Sequence, residues 1–160
     1  CARTGQFGMV IASSSPAVAA RCAHVRVGVG AVASQNITDP ALGPLILDQL
    51  EAGLPAAKAL HAVTEGRDFI DYRQLLVIDR EGRTAIHSGR QVLGLWGEAR
   101  ADDCAAGGNL LKNELIPLAM VKAFAGATGH LAERLMLALE AGLAAGDEAG
   151  LVHSAGLKLA

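Results

Sequence analysis

Apolar and polar positions along the chain fall into blocks of two different periods. Residues 7–13 are rich in strand-favouring side chains and are stopped by Ser13-Ser14-Ser15-Pro16, which predicts a strand ending in a polar loop. Residues 25–34 form a second run, valine-rich and punctuated by Gly28 and Gly30, too short and too β-branched for a helix. Its glycines predict close approach of a neighbouring backbone or sheet.

The period then lengthens. Asp39-Pro40 opens a helix in which Leu42, Leu45, Ile46 and Leu50 recur at helical spacing, with Gly53 as its stop. Pro55 begins a second helix running to about Thr64, with Ala59, Leu60 and Val63 on one face. Residues 72–79 return to strand, Glu81-Gly82 is a tight turn, and residues 84–88 pair back as a hairpin. Residues 91–103 read as irregular. A second helix pair is predicted over residues 114–125 and 131–143, the latter with Leu131, Leu135 and Leu139 at four-residue steps, and residues 152–160 close the chain as a strand. Strands alternating with helix pairs, without βαβ regularity or a linker, predict one α+β domain over residues 1–160, with sheets faced by helices.

Composition narrows the chemistry. Apolar residues make up 51% of the chain but aromatics only 3%, so the core is built from small aliphatic side chains. Lys and Arg number 14 against 16 Asp and Glu, without a run of like charge, which points away from nucleic acid and anionic membranes toward a small-molecule or protein partner. Cys1, Cys22 and Cys104 are odd in number and widely spaced, so a disulfide framework is not expected and a reducing cytoplasm is. The five histidines are scattered, and Cys22 with His24 supplies only two ligands, so no metal and no cofactor are predicted. Gly28, Gly30 and Ala33 have dinucleotide-fingerprint spacing, but Ser34-Gln35-Asn36 follows where a helix N-terminus would have to stand.

Three places carry candidate chemistry. Gly107-Gly108-Asn109 offers backbone N–H groups and a carboxamide to a developing oxyanion, or is an ordinary glycine turn ahead of a helix. Arg73, beside Gln74, has two roles open to it, clamping a carboxylate or pairing with Asp71 or Asp79 at the surface. Cys1 places a thiol and an α-amine, with reference pKa values of about 8.5 and 7.7–8.0, within one residue, which makes a nucleophile and its base. The plain alternative is a frayed terminal residue of no consequence.

Together, Gly8-Met9-Val10-Ile11-Ala12-Ser13-Ser14-Ser15-Pro16-Ala17-Val18, Gly28-Val29-Gly30-Ala31-Val32-Ala33-Ser34-Gln35, Arg73-Gln74-Leu75 and Gly108-Asn109 resemble a bacterial family of small, uncharacterised proteins like the N-terminal-nucleophile (Ntn) hydrolases. The resemblance implies a four-layer αββα sandwich and an amidohydrolase that cleaves a C–N amide bond of a small molecule. Carried over by position, it makes Cys1 the nucleophile, Gly108 and Asn109 the oxyanion donors, and Arg21, Gln35, Asn36, Arg73 and Gln74 substrate-binding or structural polar residues. It also implies that a strand precedes the turn at Arg3-Thr4-Gly5-Gln6, which would put Cys1 at a turn, and that relatives continue beyond Ala160. A non-catalytic ligand-binding or assembly domain is the rival on the same scaffold. A homodimer or higher homo-oligomer, and a companion polypeptide released by processing, are compatible with either.

Overall fold

A computed structural model describes residue 1 and residues 3–160. Its elements follow in the order β1 (Gly8–Ser13), α1 (Val18–Cys22), β2 (Ala23–Arg26), β3 (Gly30–Asn36), α2 (Leu42–Glu51), α3 (Ala56–Thr64), β4 (Arg73–Asp79), β5 (Thr84–Ser88), β6 (Gly97–Ala101), β7 (Cys104–Gly108), α4 (Ile116–Gly126), α5 (Leu131–Ala144) and β8 (Ser154–Leu159). The fold is mixed α+β, and the described residues form five α-helices and strands that pair antiparallel throughout. Both expected helix pairs, the β4–β5 hairpin and the closing strand form within a residue or two of their predicted bounds. No helix among the described residues is long and apolar enough to cross a membrane.

A central sheet has the order β2-β3-β4-β5. Period-two alternation decides its faces. Val32 on β3 with Leu75 and Val77 on β4 meets Leu42, Ile46, Leu47 and Leu50 of α2 and Ala56, Ala59 and Leu60 of α3, forming the largest apolar cluster. The alternate residues Ala31, Ala33 and Gln35 of β3, in register with Ile78, Leu76 and Gln74 of β4, look the other way, into a cleft. Asp79 ties the first face together. Its Oδ2 accepts from the Ala56 N–H that opens α3 at 2.9 Å, and its Oδ1 accepts from the N–H groups of Glu81 and Arg83 in the β4–β5 turn, each at 3.0 Å.

Beyond the cleft stand two separate hairpin-sized sheets, β1-β8 and β6-β7, with α4 and α5 packed outside them. The α5 N-terminus is a capping box in which the Ala132 N–H donates to the His130 ring and the His130 N–H to Glu133.

Two sequence expectations are corrected and one element is added. The valine-rich run at residues 25–34 is two strands, because Gly28 at φ +68° and the Val29 N–H donating to the Arg26 carbonyl turn the chain back as a hairpin. The polar loop at residues 14–17 forms as expected, and a short helix for which no element was expected, α1, follows it. Residues 97–108, expected as irregular chain leading to a glycine turn, are the β6–β7 hairpin. Its strand β7 reads Cys-Ala-Ala-Gly-Gly, which lacks β-branched residues, and the small side chains suit a strand pressed against Leu76 and α4.

Candidate functional site

The cleft between the central sheet and the outer layer has a volume of about 400 Å³. Ala31, Ala33, Leu76 and Ile78 form one wall, Met120, Leu135 and Ala138 of the helix pair the other, and β1 and β7 run along its sides. Both strands point the same way. Their first residues lie at an apolar end, where Cys1 and Cys104 pack against Phe124, Leu131 and Ala138. Their last residues lie at a polar end. There the Ser14 hydroxyl and N–H donate to the two oxygens of Glu148 at 2.6 and 2.8 Å, while Ala149 donates to the carbonyl of Leu110, just past β7.

This arrangement divides the predicted residues. Gly108 is four residues along β7 from Cys104, about 13 Å at the usual strand rise, so Cys1 and the Gly108-Asn109 pair stand at opposite ends of the cleft. Cys1 folds back on its own chain instead. Its α-amine donates to the Gln6 carbonyl at 2.6 Å, and the Gly5 N–H donates to the Cys1 carbonyl at 2.9 Å. Burial holds that amine below the ordinary range, with Asp103 pulling it up and Arg134 pushing it down, so it is a better base near neutrality than a free terminus. Burial likewise pushes the Cys104 thiol up and keeps it protonated.

Gln35, Asn36, Arg73 and Gln74 are brought together, largely as a structural seam. The Gln35 amide donates to Gln74 Oε1 at 2.8 Å and to the Gly107 carbonyl at 3.1 Å. The amide of Gln74, a fully buried residue, reaches Ser88 Oγ at 3.1 Å and the Gly108 carbonyl at 3.4 Å. Asn36, at φ +73°, donates to the Tyr72 carbonyl and accepts from the Leu93 N–H. Arg73 donates to the Ile37 carbonyl and takes neither expected carboxylate, since Asp71 pairs with Arg90 and Asp79 with Arg83. The Gln35 and Gln74 bonds, including one from Gln74 to the Gly97 carbonyl, stitch the central sheet to β6 and β7.

None of these bonds uses the Asn109 carboxamide, which lies in the cleft wall with Arg21, whose guanidinium rests on the Pro16 carbonyl at 3.2 Å. Ser14, Thr38 and Glu148 line the same polar end and were missed in the sequence. Ser14 and Glu148 are 134 residues apart, and no local pattern announces that pairing. Thr38 was hidden in a loop, where its hydroxyl lies 3.4 Å from the Cys22 sulfur. Among the described residues, no three His, Cys, Asp or Glu side chains gather as a metal ion would require.

The molecule is thus an α+β protein of antiparallel sheets around a long cleft, apolar at one end and polar at the other. Over residues 1–160 it matches the model of the family described as "Family of unknown function (DUF1028)", and it belongs to that family. It is similar to the crystal structure of protein SPO2555 from Silicibacter pomeroyi, of the same family, with a TM-score of 0.92 and 27% identity over 99% of this chain and 69% of that one. No curated protein matches it.

Proposed function

We propose that the chain is the framework of an amide-bond hydrolase of the Ntn kind, acting on a small molecule held at the polar end of the cleft. The observation that carries this reading is that Asn109 and Arg21 both line the cleft, Asn109 directly after the last residue of β7 and Arg21 on the helix that follows β1, its guanidinium on the Pro16 carbonyl. Asn109 is a donor for a tetrahedral oxyanion, and Arg21 is a partner for a substrate carboxylate. The layers support the same reading: α2 and α3, the central sheet, the two outer sheets, then α4 and α5, in the order of an αββα sandwich. An Ntn scaffold carries its nucleophile on the first residue of a strand, so that residue has to stand beside Asn109. Cys1, at the far end and folded back on Gln6, is then a turn residue rather than the nucleophile.

Turnover of N-acyl amino acids by protein made from the complete gene, followed by release of the free amine, tests this. Asn109→Ala is expected to lower kcat by roughly 10²–10³, as removal of an oxyanion donor does, and Arg21→Ala to raise KM. Cys1→Ala should change neither. Loss of turnover in Cys1→Ala with full activity in Asn109→Ala would return the chemistry to the terminal thiol and its buried amine. A second reading, a non-catalytic ligand-binding domain, is favoured by how many polar groups near that end are spent on structure. Ligand-induced stabilisation by the same compounds without any turnover would select it.

A further inference from the structure

Beside the polar end of the cleft, three large apolar side chains stand in solvent: Ile37, Tyr72 and Leu93 are 47%, 41% and 43% exposed. Ile37 follows β3, Tyr72 precedes β4 and Leu93 lies beyond β5, and polar bonds draw the three together. The Asn36 amide donates to the Tyr72 carbonyl at 2.6 Å, and its side-chain oxygen accepts from the Leu93 N–H at 3.2 Å. The Ile37 N–H reaches the same Tyr72 carbonyl at 3.4 Å, and Arg73 donates to the carbonyl of Ile37. The Gln91 N–H donates to the Asp71 carbonyl at 2.8 Å, which holds the segment leading to Leu93. Single exposed apolar residues are ordinary, whereas a group gathered by polar bonds marks a binding surface.

This rim is continuous with the cleft, since Ile37 and Leu93 line it. It is also joined to both candidate binding residues. The Leu93 carbonyl accepts from the Leu110 N–H, one residue beyond Asn109, at 3.0 Å. Ile37 is followed by Thr38, whose hydroxyl lies 3.4 Å from the sulfur of Cys22, the neighbour of Arg21 in α1. The charges beside the rim are already occupied, because Asp71 pairs with Arg90 and Arg73 rests on the Ile37 carbonyl. An uncharged, apolar group suits such a surface.

We infer that Ile37, Tyr72 and Leu93 form a subsite for an alkyl chain, so that the amide taken at the polar end is that of a medium-chain N-acyl amino acid. The carboxylate half then lies toward Arg21, the amide toward Asn109, and the acyl chain over the rim. The inference rests on the proposed function for the placing of the amino-acid half; the subsite itself rests on the rim alone.

The test titrates ¹⁵N-labelled protein made from the complete gene with N-acetylglycine and with N-octanoylglycine. A fully buried methylene is worth about fourfold in affinity, so covering two of the six added ones suffices for about tenfold. N-octanoylglycine is therefore expected to bind at least about tenfold more tightly and to shift the amides of Ile37, Tyr72 and Leu93. In the double variant Ile37→Ser with Leu93→Ser, the two ligands should bind alike. Equal affinities in the parent and an unmoved rim, with shifts at Arg21 and Asn109 from both ligands, would overturn the inference and leave the proposed function standing. Rim shifts from N-octanoylglycine, with Arg21 and Asn109 unmoved by either ligand, would support the alkyl subsite and remove the proposed function. Silence from both ligands would overturn both. Rim shifts that grow with protein concentration in the absence of ligand would assign the surface to a second copy and overturn the inference.

Discussion

Replacing Asp79 by Asn removes little volume but reverses the hydrogen bonding at one carboxylate oxygen. Asp79 is 2% exposed, and its two oxygens accept from Ala56 N, Glu81 N, Arg83 N and Arg83 Nε at 2.8–3.0 Å. An amide can keep one oxygen for the turn, but then sets its NH₂ against the buried Ala56 N–H and the Arg83 side chain. Leaving a buried donor unpaired costs about 1–3 kcal/mol, and the loss of a charge-assisted bond adds to it, so about 3 kcal/mol is expected. In a domain of this size that lowers the melting temperature by roughly 6–12 °C. The acid limb gives a second check. Burial alone would raise the carboxyl, but the bonds from Ala56 and Arg83 overturn that and hold it below the usual range. The stabilisation is therefore complete above the unfolded pKa of about 3.9 and is lost as pH falls through the lower folded value. Differential scanning calorimetry of both proteins from pH 7 to pH 2.5 should show the gap narrowing in acid. A variant that melts within about 1 °C of the parent at pH 7, or a gap that persists unchanged in acid, would refute the argument.

Other sites give opposed or pH-dependent outcomes. Alanine normally exceeds glycine in helix propensity by about 1 kcal/mol, yet Gly43→Ala in α2 should destabilise by about 1–3 kcal/mol, because the added methyl overlaps the His24 ring; a higher melting temperature would contradict this. Burial, opposed by a backbone bond at Arg21 and helped by Lys158, lowers the His24 pKa, and its buried Nε2 has no partner among the described residues. Stability should thus fall as pH drops below about 6.5, and His24→Phe should flatten that slope in urea titrations. Gln74→Leu should cost about 2 kcal/mol by stranding Gln35 and Ser88, and should speed amide exchange in β7; unchanged exchange there would show that the seam does not hold β6 and β7.

The helix pairs and the β4–β5 hairpin were legible because each carries its own signal: helical spacing at Leu42, Ile46 and Leu50, a proline at the start of α3, and Glu81-Gly82 between two strand-like runs. β7 was not legible. Its propensities are wrong for a strand, and its pairing with β6, its packing against α4 and the Gln35 and Gln74 bonds account for it. The polar residues were found by type, but their grouping was not. As a turn, residues 104–109 would set Cys1 beside Asn109; as the strand β7 they separate the two by the length of that strand. Ser14 and Glu148 needed the return of the chain along β8, which no local pattern discloses.

The proposed function requires a small molecule to bind at the polar end of the cleft and not at Cys1. Titration of the ¹⁵N-labelled protein with N-acetylglycine, followed by amide chemical shifts, tests it most directly. The largest shifts are expected at Gly108, Asn109 and Arg21, and they are expected to vanish in Asn109→Ala. Shifts centred on Cys1, Gly5 and Cys104, with Gly108 and Asn109 unmoved, would contradict it.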